Sequence, residues 1–288
     1  MKKVALVSSK KWCGRSRGDI ALQEELCRIG IDAQIVSWED SVDWIMFDLV
    51  LLRSPWDYYE HYSEFCTWLS VLKRSQIYLA NGVDKIYNNI DKARQMKLLQ
   101  YCKIPLLPYS ICTNIEAIDI FYQTSHNEKI VVKPTVSTSG HNVFLIDLTQ
   151  EDSYKQLIFA ANKIIADGFN VIAQPYISSI ERGEHSLIYI YGQFSHALIR
   201  FPGILGERKA PVPLEKLDAT WIEAGRTISK YLNSEELLYL RIDLVEFQGK
   251  IRIMEIEIAE PDLYLDLDYS RKITPLIAFA EAIAKTIE

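Results

Sequence analysis

Arg241, Asp243, Glu255 and Glu257 alternate with Ile242, Leu244, Met254, Ile256 and Ile258 along two segments, 239–247 and 250–258, joined by Gln248-Gly249. Successive side chains of an extended chain point to opposite faces. One face of this hairpin is therefore apolar, and the other gathers three carboxylates and one guanidinium. A strict two-residue turn would pair Asp243 with Met254 and mix the two faces. A three-residue connection with Gly249 left-handed pairs Asp243 with Ile253, aligns both apolar sets and puts Asp243 beside Glu255; that register is the one expected. Three converging carboxylates repel one another unless a cation lies between them, and oxygen donors of this kind suit Mg²⁺. Taken alone, the hairpin also fits an ordinary solvated face with ion pairs such as Arg241 with Glu255.

Two lysines sit where phosphates can be held. Lys133 ends the apolar run Ile130-Val131-Val132-Lys133-Pro134, and the small-residue loop Thr135-Val136-Ser137-Thr138-Ser139-Gly140 follows it. Backbone N–H groups of such a loop cradle anions. Lys92 opens a helix after Asn88-Asn89-Ile90-Asp91, another place suited to phosphate. No Gly-x-x-x-x-Gly-Lys-Ser/Thr occurs, and no Gly-x-Gly-x-x-Gly follows the first strand, so neither a P-loop nor a standard dinucleotide fold is expected. Arg53 and Asp57, in Arg53-Ser54-Pro55-Trp56-Asp57-Tyr58, lie just after a strand, where open α/β sheets bind ligands. Arg53 is either a bidentate holder of a substrate carboxylate or a structural partner of Asp57. Glu260, with the run Tyr264, Asp266, Asp268 and Tyr269, either reads an amine or belongs to a solvated loop.

The elements that must position these groups follow from periodicity. The chain has 288 residues, 49% hydrophobic and 24% charged, enough for two or three packed units with a sizeable core. Segments 3–8, 33–38, 48–53 and 77–81 read as strands and 20–29 and 61–73 as helices, an α/β unit with a mainly parallel sheet expected over 1–83. A second unit, 84–177, starts with a helix over 91–102 capped by Asn89 or Asp91. It continues with helices over 115–122 and 154–167 and strands over 130–133, 143–147 and 171–177. The third, 178–288, holds hairpins over 185–201 and 239–258 and helices over 221–232 and 273–287. The fold class is α/β (α+β).

Other function classes are excluded by composition. The net charge of −6, with no dense basic stripe, argues against nucleic acid. The longest aliphatic run, Leu49 to Leu52, is far too short to span a membrane, and the apolar stretch after Met1-Lys2-Lys3 is too short for a signal peptide. Five cysteines with no Cys-x-x-Cys point to a reducing, cytoplasmic setting. The five histidines show no zinc spacing.

The order of motifs resembles the ATP-grasp ligases, in particular the glutathione-synthetase-like and cycloserine-biosynthesis group. From about Tyr87 to Pro261 the chain presents Asp91-Lys92, Val132-Lys133-Pro134, Gln174-Pro175-Tyr176-Ile177, Gly183-Glu184-x-Ser186-Leu187 and Ser195-His196-Ala197-x-x-Arg200. Arg241-Ile242-Asp243-Leu244-Val245 and Met254-Glu255-Ile256-Glu257-Ile258-Ala259-Glu260-Pro261 complete the set. The resemblance implies an ATP-grasp fold behind an N-terminal Rossmann-like pre-ATP-grasp domain. It implies that Lys92 and Lys133 hold ATP phosphates under a loop containing Ser139 and Gly140. Gln174, Pro175, Tyr176 and Ile177 would then frame the adenine, and Glu184 would meet the ribose hydroxyls. Asp243, Glu255 and Glu257 would hold Mg²⁺ (or Mn²⁺), with Arg200 and Arg241 as catalytic cations. The segment 201–209 lacks the Gly-Gly pair of many relatives, and Ser186 replaces a basic residue.

The implied activity is an ATP-dependent carboxylate–amine ligase working through an acyl phosphate, with small-molecule carboxylate and amine substrates and a homodimeric assembly. The alternatives are an ATP-grasp small-molecule kinase that phosphorylates a hydroxyl, and a non-catalytic ATP-binding regulatory protein.

Overall fold

The computed structural model describes residues 1–102, 104–201, 203, 209–270 and 274–288. Among them, three sheets surround a central cavity.

The first sheet is built from β1 (Lys3–Ser8), β2 (Asp32–Ser37), β3 (Leu49–Ser54) and β4 (Leu79–Ala80), all parallel in the order β2-β1-β3-β4. Its inner strands β1 and β3 carry the apolar runs Val4–Val7 and Leu49–Leu52, buried on both faces, as a parallel sheet covered on both sides requires. Val4, Leu6, Leu49 and Leu51 face one core, with Leu22 and Leu26 of α1 (Arg17–Arg28). Ala5, Val7, Val50 and Leu52 face the other, with Phe65, Leu69 and Leu72 of α2 (Tyr62–Arg74).

α3 (Val83–Asn89) and α4 (Lys92–Tyr101) follow. The short α3 lies where the expected boundary of the first unit falls. Ile86 and Ile90, placed by that boundary in the second unit, bury into the first unit's core. Asp91 is the cap of α4: its Oδ1 accepts from the N–H groups of Ala93 and Arg94 at 2.9 and 3.2 Å.

The second sheet has the antiparallel order β5-β8-β6-β7, from β5 (Ser110–Cys112), β6 (Lys129–Pro134), β7 (Phe144–Asp147) and β8 (Val171–Pro175). α5 (Ile115–Thr124) and α6 (Ser153–Ala166) cover one face, burying Ile118, Leu157, Ala161 and Ile164 against Ile130, Val132 and Ala173.

The third sheet, order β11-β10-β9-β12-β13, is antiparallel: β9 (Glu184–Ile190), β10 (Gln193–Arg200), β11 (Val212–Pro213), β12 (Tyr239–Phe247) and β13 (Lys250–Glu257). One face packs on α7 (Ala219–Tyr231) and on Leu99 of α4. α8 (Pro275–Thr286), expected within the C-terminal unit, buries Phe279, Ala280 and Ile283 in the core beneath the first sheet, and so joins the two ends of the chain. The expected start of this helix, Ile273, and most of the segment 201–209 lie outside the described residues.

The β12–β13 connection differs from expectation. Phe247 pairs with Lys250, so Gln248-Gly249 is a two-residue turn, with φ of 51° and 70° at its two positions. Positive φ at both is the hairpin turn that matches strand twist, and glycine takes it without steric cost. The faces nevertheless align, because Leu244 pairs with Ile253 while Asp243 pairs with Glu255. Met254 is the extra residue of a β-bulge. It leaves the apolar face to which alternation assigns it, and packs instead with Leu107, Ile177 and Val245.

Candidate active site

A cavity of about 940 Å³ lies where the three sheets meet. Each sequence-predicted site residue can be placed against it.

Lys92, Lys133, Ser139, Gly140, Gln174, Pro175, Tyr176, Ile177 and Glu184 all line the cavity, as do Arg200, Arg241, Glu255, Glu257 and Glu260. At one end, Ile177 and Met254 close around an apolar slot with Leu107 and Val131, next to the backbone of Gln174 to Ile177. An aromatic base fits a slot of this kind, with apolar side chains over its faces and backbone groups at its edge.

The two lysines come from different elements, Lys92 from the start of α4 and Lys133 from β6, and both line the cavity beside the loop 135–142. The Lys92 N–H donates to Thr135 O at 2.8 Å, and its Nζ donates to Ser137 O at 2.6 Å. The same Nζ lies 3.2 Å from Glu255 Oε1. Burial works against the Lys92 charge, but Glu255, Glu257 and Glu260 outweigh it and hold its pKa above the ordinary value. Lys133 is different. Burial pulls its pKa below the ordinary lysine value, and Lys92 adds to the effect. A buried ammonium beside another cation is arranged to receive an anion.

The acidic hairpin face exists as expected, and Asp243 does not point into aliphatic surroundings. One oxygen each of Asp243, Glu255 and Glu257 lie within 4.8 Å of one another. Oxygen donors on one Mg²⁺ sit about 2.1 Å from the ion, hence no more than about 4.2 Å apart. The three carboxylates therefore fit a divalent cation after a small contraction. They are not equivalent. Glu255 and Glu257 line the cavity, whereas Asp243 is 1% exposed and already held. Ser186 Oγ donates to its Oδ1 at 2.6 Å, Arg200 Nη1 to its Oδ2 at 2.9 Å, and Arg241 Nε and Nη2 to both oxygens. Burial raises the cost of its charge, but Arg241, Arg200 and Ser186 outweigh that and keep its pKa below the ordinary carboxylate value.

Arg241 also donates to Glu257 and to Asp262 O, the latter at 3.0 Å. Arg200 bridges Asp243 to Glu184, with Nη2 at 3.0 Å from Glu184 Oε1. Burial pushes Glu184 up to about 7 despite Arg200, and Glu260 up to about 7 despite Lys92 and the Tyr58 hydroxyl. Glu255 moves the other way: burial opposes its charge, but Lys92 and Lys133 prevail. Carboxylates sharing one wall of a cavity thus titrate apart, as functional sites arrange.

The cavity is also lined by Trp12, Trp56 and Tyr58, from the segments that follow the carboxyl ends of β1 and β3, and by Glu260, Asp262 and Tyr264. Trp12 and Trp56 meet edge to face at 5.2 Å. Trp56 is fixed by its indole N–H, which donates to Glu260 O at 3.0 Å.

Arg53 and Asp57 are not brought into this site. Arg53, 1% exposed, donates from Nε to Asp19 Oδ1 at 3.1 Å and lies 5.7 Å from the centre of the Phe279 ring. The structure thus places it neither on the cavity wall nor in the expected pairing with Asp57, because α1 delivers Asp19 against β3. Asp57 does not line the cavity; it precedes the single-turn helix Tyr58–His61.

Sequence reasoning missed Trp12 and Met254 as wall residues. The bulge that turns Met254 inward has no local signature. Trp12, in a loop after a strand's carboxyl end, could have been found by the rule that located Arg53.

Residues 95–268, more than half of the chain, match the model of the prokaryotic glutathione synthetase ATP-grasp domain. The chain belongs to the ATP-grasp family. The resemblance seen in its motifs is thereby borne out, and residues 4–81 match the N-terminal domain of D-cycloserine synthetase DcsG. The chain is 26% identical over 289 residues to the cycloserine biosynthesis protein DcsG of Streptomyces lavendulae, covering 92% of each. The crystal structure of D-cycloserine synthetase DcsG superposes with a TM-score of 0.82 at 24% identity, over 99% of this chain and 100% of that one. D-alanine–D-alanine ligase from Bacillus anthracis complexed with ATP gives 0.69 at 16% identity, over 100% and 97%. This ATP-grasp chain is an enzyme, an ATP-dependent ligase that forms an amide bond. Its family uses ATP and a divalent metal. No described helix is long and apolar enough to cross a membrane.

Proposed function

We propose that the chain joins a small-molecule carboxylate to an amine through an acyl phosphate, with Mg²⁺-ATP as the phosphoryl donor. The observation that carries this reading is the convergence on one cavity wall of Glu255 and Glu257, backed by Asp243, with Lys92, Lys133, Arg200 and Arg241. Phosphoryl transfer asks for positioning and charge neutralisation more than for a protein nucleophile, and this wall supplies both.

In the proposed arrangement the adenine occupies the slot between Ile177 and Met254, along the backbone of Gln174 to Ile177, and Glu184 faces the ribose. Lys92 and Lys133 grip the phosphates beneath the loop carrying Ser139 and Gly140. Asp243, Glu255 and Glu257 are the residues to hold Mg²⁺, for which Mn²⁺ can substitute; bound there, the ion neutralises phosphate charge. The substrate carboxylate attacks the γ-phosphorus, and ADP departs. Arg200 and Arg241 offset the charge that spreads over the transferring group. The amine nitrogen then adds to the acyl carbon, a tetrahedral intermediate collapses, and inorganic phosphate leaves with the amide formed. The Trp12–Trp56 wall excludes water that would hydrolyse the acyl phosphate. Glu260 is the group placed to meet the amine.

We further propose units spanning 1–83, 84–177 and 178–288, a cytoplasmic location and a homodimer, the last to be read by light scattering in solution. The decisive experiment is ADP release, screened over amino acids, dipeptides and hydroxamates. The expected result is ADP together with a new amide. A stable phosphoester as product would favour the kinase reading instead, and Mg²⁺-ATP binding without turnover would favour a regulator.

A further inference from the structure

β13 is an edge strand, and it carries Glu255 and Glu257. Edge strands expose N–H and C=O groups that ordinarily need covering. Here the backbone of Pro105 accepts from Ile253 N at 3.1 Å, and from Ile256 onward two side-chain amides take over. Gln95 Nε2 donates to Ile256 O at 2.6 Å, and Gln95 Oε1 accepts from Ile256 N at 3.3 Å. Asn89 Nδ2 donates to the same Ile256 O at 2.8 Å, and Asn89 Oδ1 accepts from Ile258 N at 3.0 Å and Ala259 N at 3.2 Å. The two amides thus stand where a sixth strand would lie.

The residues they hold alternate with the carboxylate-bearing ones: Ile256 separates Glu255 from Glu257. The two amides also bracket Lys92, whose Nζ meets Glu255. Gln95 sits on the same helix as Lys92, one turn on, and Asn89 ends the preceding helix. Neither acts as the helix cap, a role filled by Asp91. Simple protection of an edge is met by any backbone strand or by charge. A bidentate amide on the single residue between two acidic side chains fixes their height relative to Lys92.

We infer that Asn89 and Gln95 are positioning residues that set the Glu255–Glu257 pair for divalent-cation binding. The inference rests on the ligase reading of this site. Outer-shell partners of metal-holding carboxylates commonly change metal affinity 10- to 100-fold.

The test uses the full chain with Mn²⁺ as probe and a non-hydrolysable ATP analogue, with free Mn²⁺ read by electron paramagnetic resonance. Gln95→Met keeps the length of the side chain and removes both hydrogen bonds. It is expected to weaken Mn²⁺ binding about 10-fold, while metal-free binding of the analogue changes less than about two-fold. Asn89→Ser, too short to reach both strand groups, is expected to do the same and decides the matter if Gln95→Met does not fold by circular dichroism. Unchanged Mn²⁺ affinity in a folded variant overturns the inference and leaves the ligase reading standing. Unfolding of both variants overturns it also, assigning the amides to fold stability alone. A wild-type chain that binds no Mn²⁺ with the analogue overturns the ligase reading, and the positioning role falls with it.

Discussion

Arg241 clasps Asp243, two residues along the same strand, with Nε and Nη2 reaching both carboxylate oxygens at 3.0 to 3.2 Å. The pair is buried, and removing one member of a buried pair leaves the other uncompensated. Asp243→Asn is therefore expected to act twice. ADP formation should fall by about 100-fold or more, and stability by about 3–5 kcal/mol because Arg241 and Arg200 lose their shared partner. Urea unfolding and ADP release check the two halves. Glu255→Gln, at a residue that lines the cavity, should lose comparable activity with a smaller stability change.

Lys133 should show the opposite signs for fold and function. Burial pulls its pKa down, which means that its charge costs folding energy. Lys133→Met removes that cost at similar length. The melting temperature is therefore expected to rise, read by thermal unfolding. ATP affinity, measured calorimetrically, should fall at least about ten-fold. A lower melting temperature with intact ATP binding would refute the phosphate role.

Glu260 gives a pH signature. Its folded pKa, raised to about 7 chiefly by burial, lies above the unfolded value of about 4.3. Between those values the folded state binds more protons, so stability falls as pH rises. The contribution is fully present below about pH 4 and lost above about pH 7. Glu260→Gln should remove this slope. The variant's melting temperature, relative to wild type, is expected to be higher at pH 8 than at pH 4.5, by an amount corresponding to at most about 3 kcal/mol.

Arg53 separates a structural role from a substrate role. Its guanidinium is taken up by Asp19 in the core. Arg53→Met should destabilise by about 3–5 kcal/mol, and the double change with Asp19→Asn should recover part of that loss. The KM for the carboxylate substrate is expected to stay within about two-fold of wild type at a temperature where the variant is folded. A large rise in KM without destabilisation would restore the substrate assignment.

Much of this protein is legible in the order of its residues. Alternation along β12 and β13 separates the acidic face from the apolar one, because the side-chain period of a strand is local geometry. Apolar runs with no alternation mark β1 and β3 as strands buried on both faces. The placement of Lys92 at a helix start and of Lys133 at a strand end follows from capping and periodicity alone.

Tertiary structure decided what those rules cannot reach. The bulge at Met254 reconciles a two-residue turn with aligned faces, since an extra residue shifts register without altering the flanking pattern. Arg53 and Asp19 are 34 positions apart and meet only because α1 packs against the first sheet. Asn89 fits a helix cap as well as Asp91 does until β13 arrives beside it. Whether a carboxylate faces a cavity, as Glu255 does, or lies beneath it between two arginines, as Asp243 does, depends on which neighbours the fold brings within hydrogen-bond reach. Distance in space, which spacing along the chain does not encode, sets that outcome.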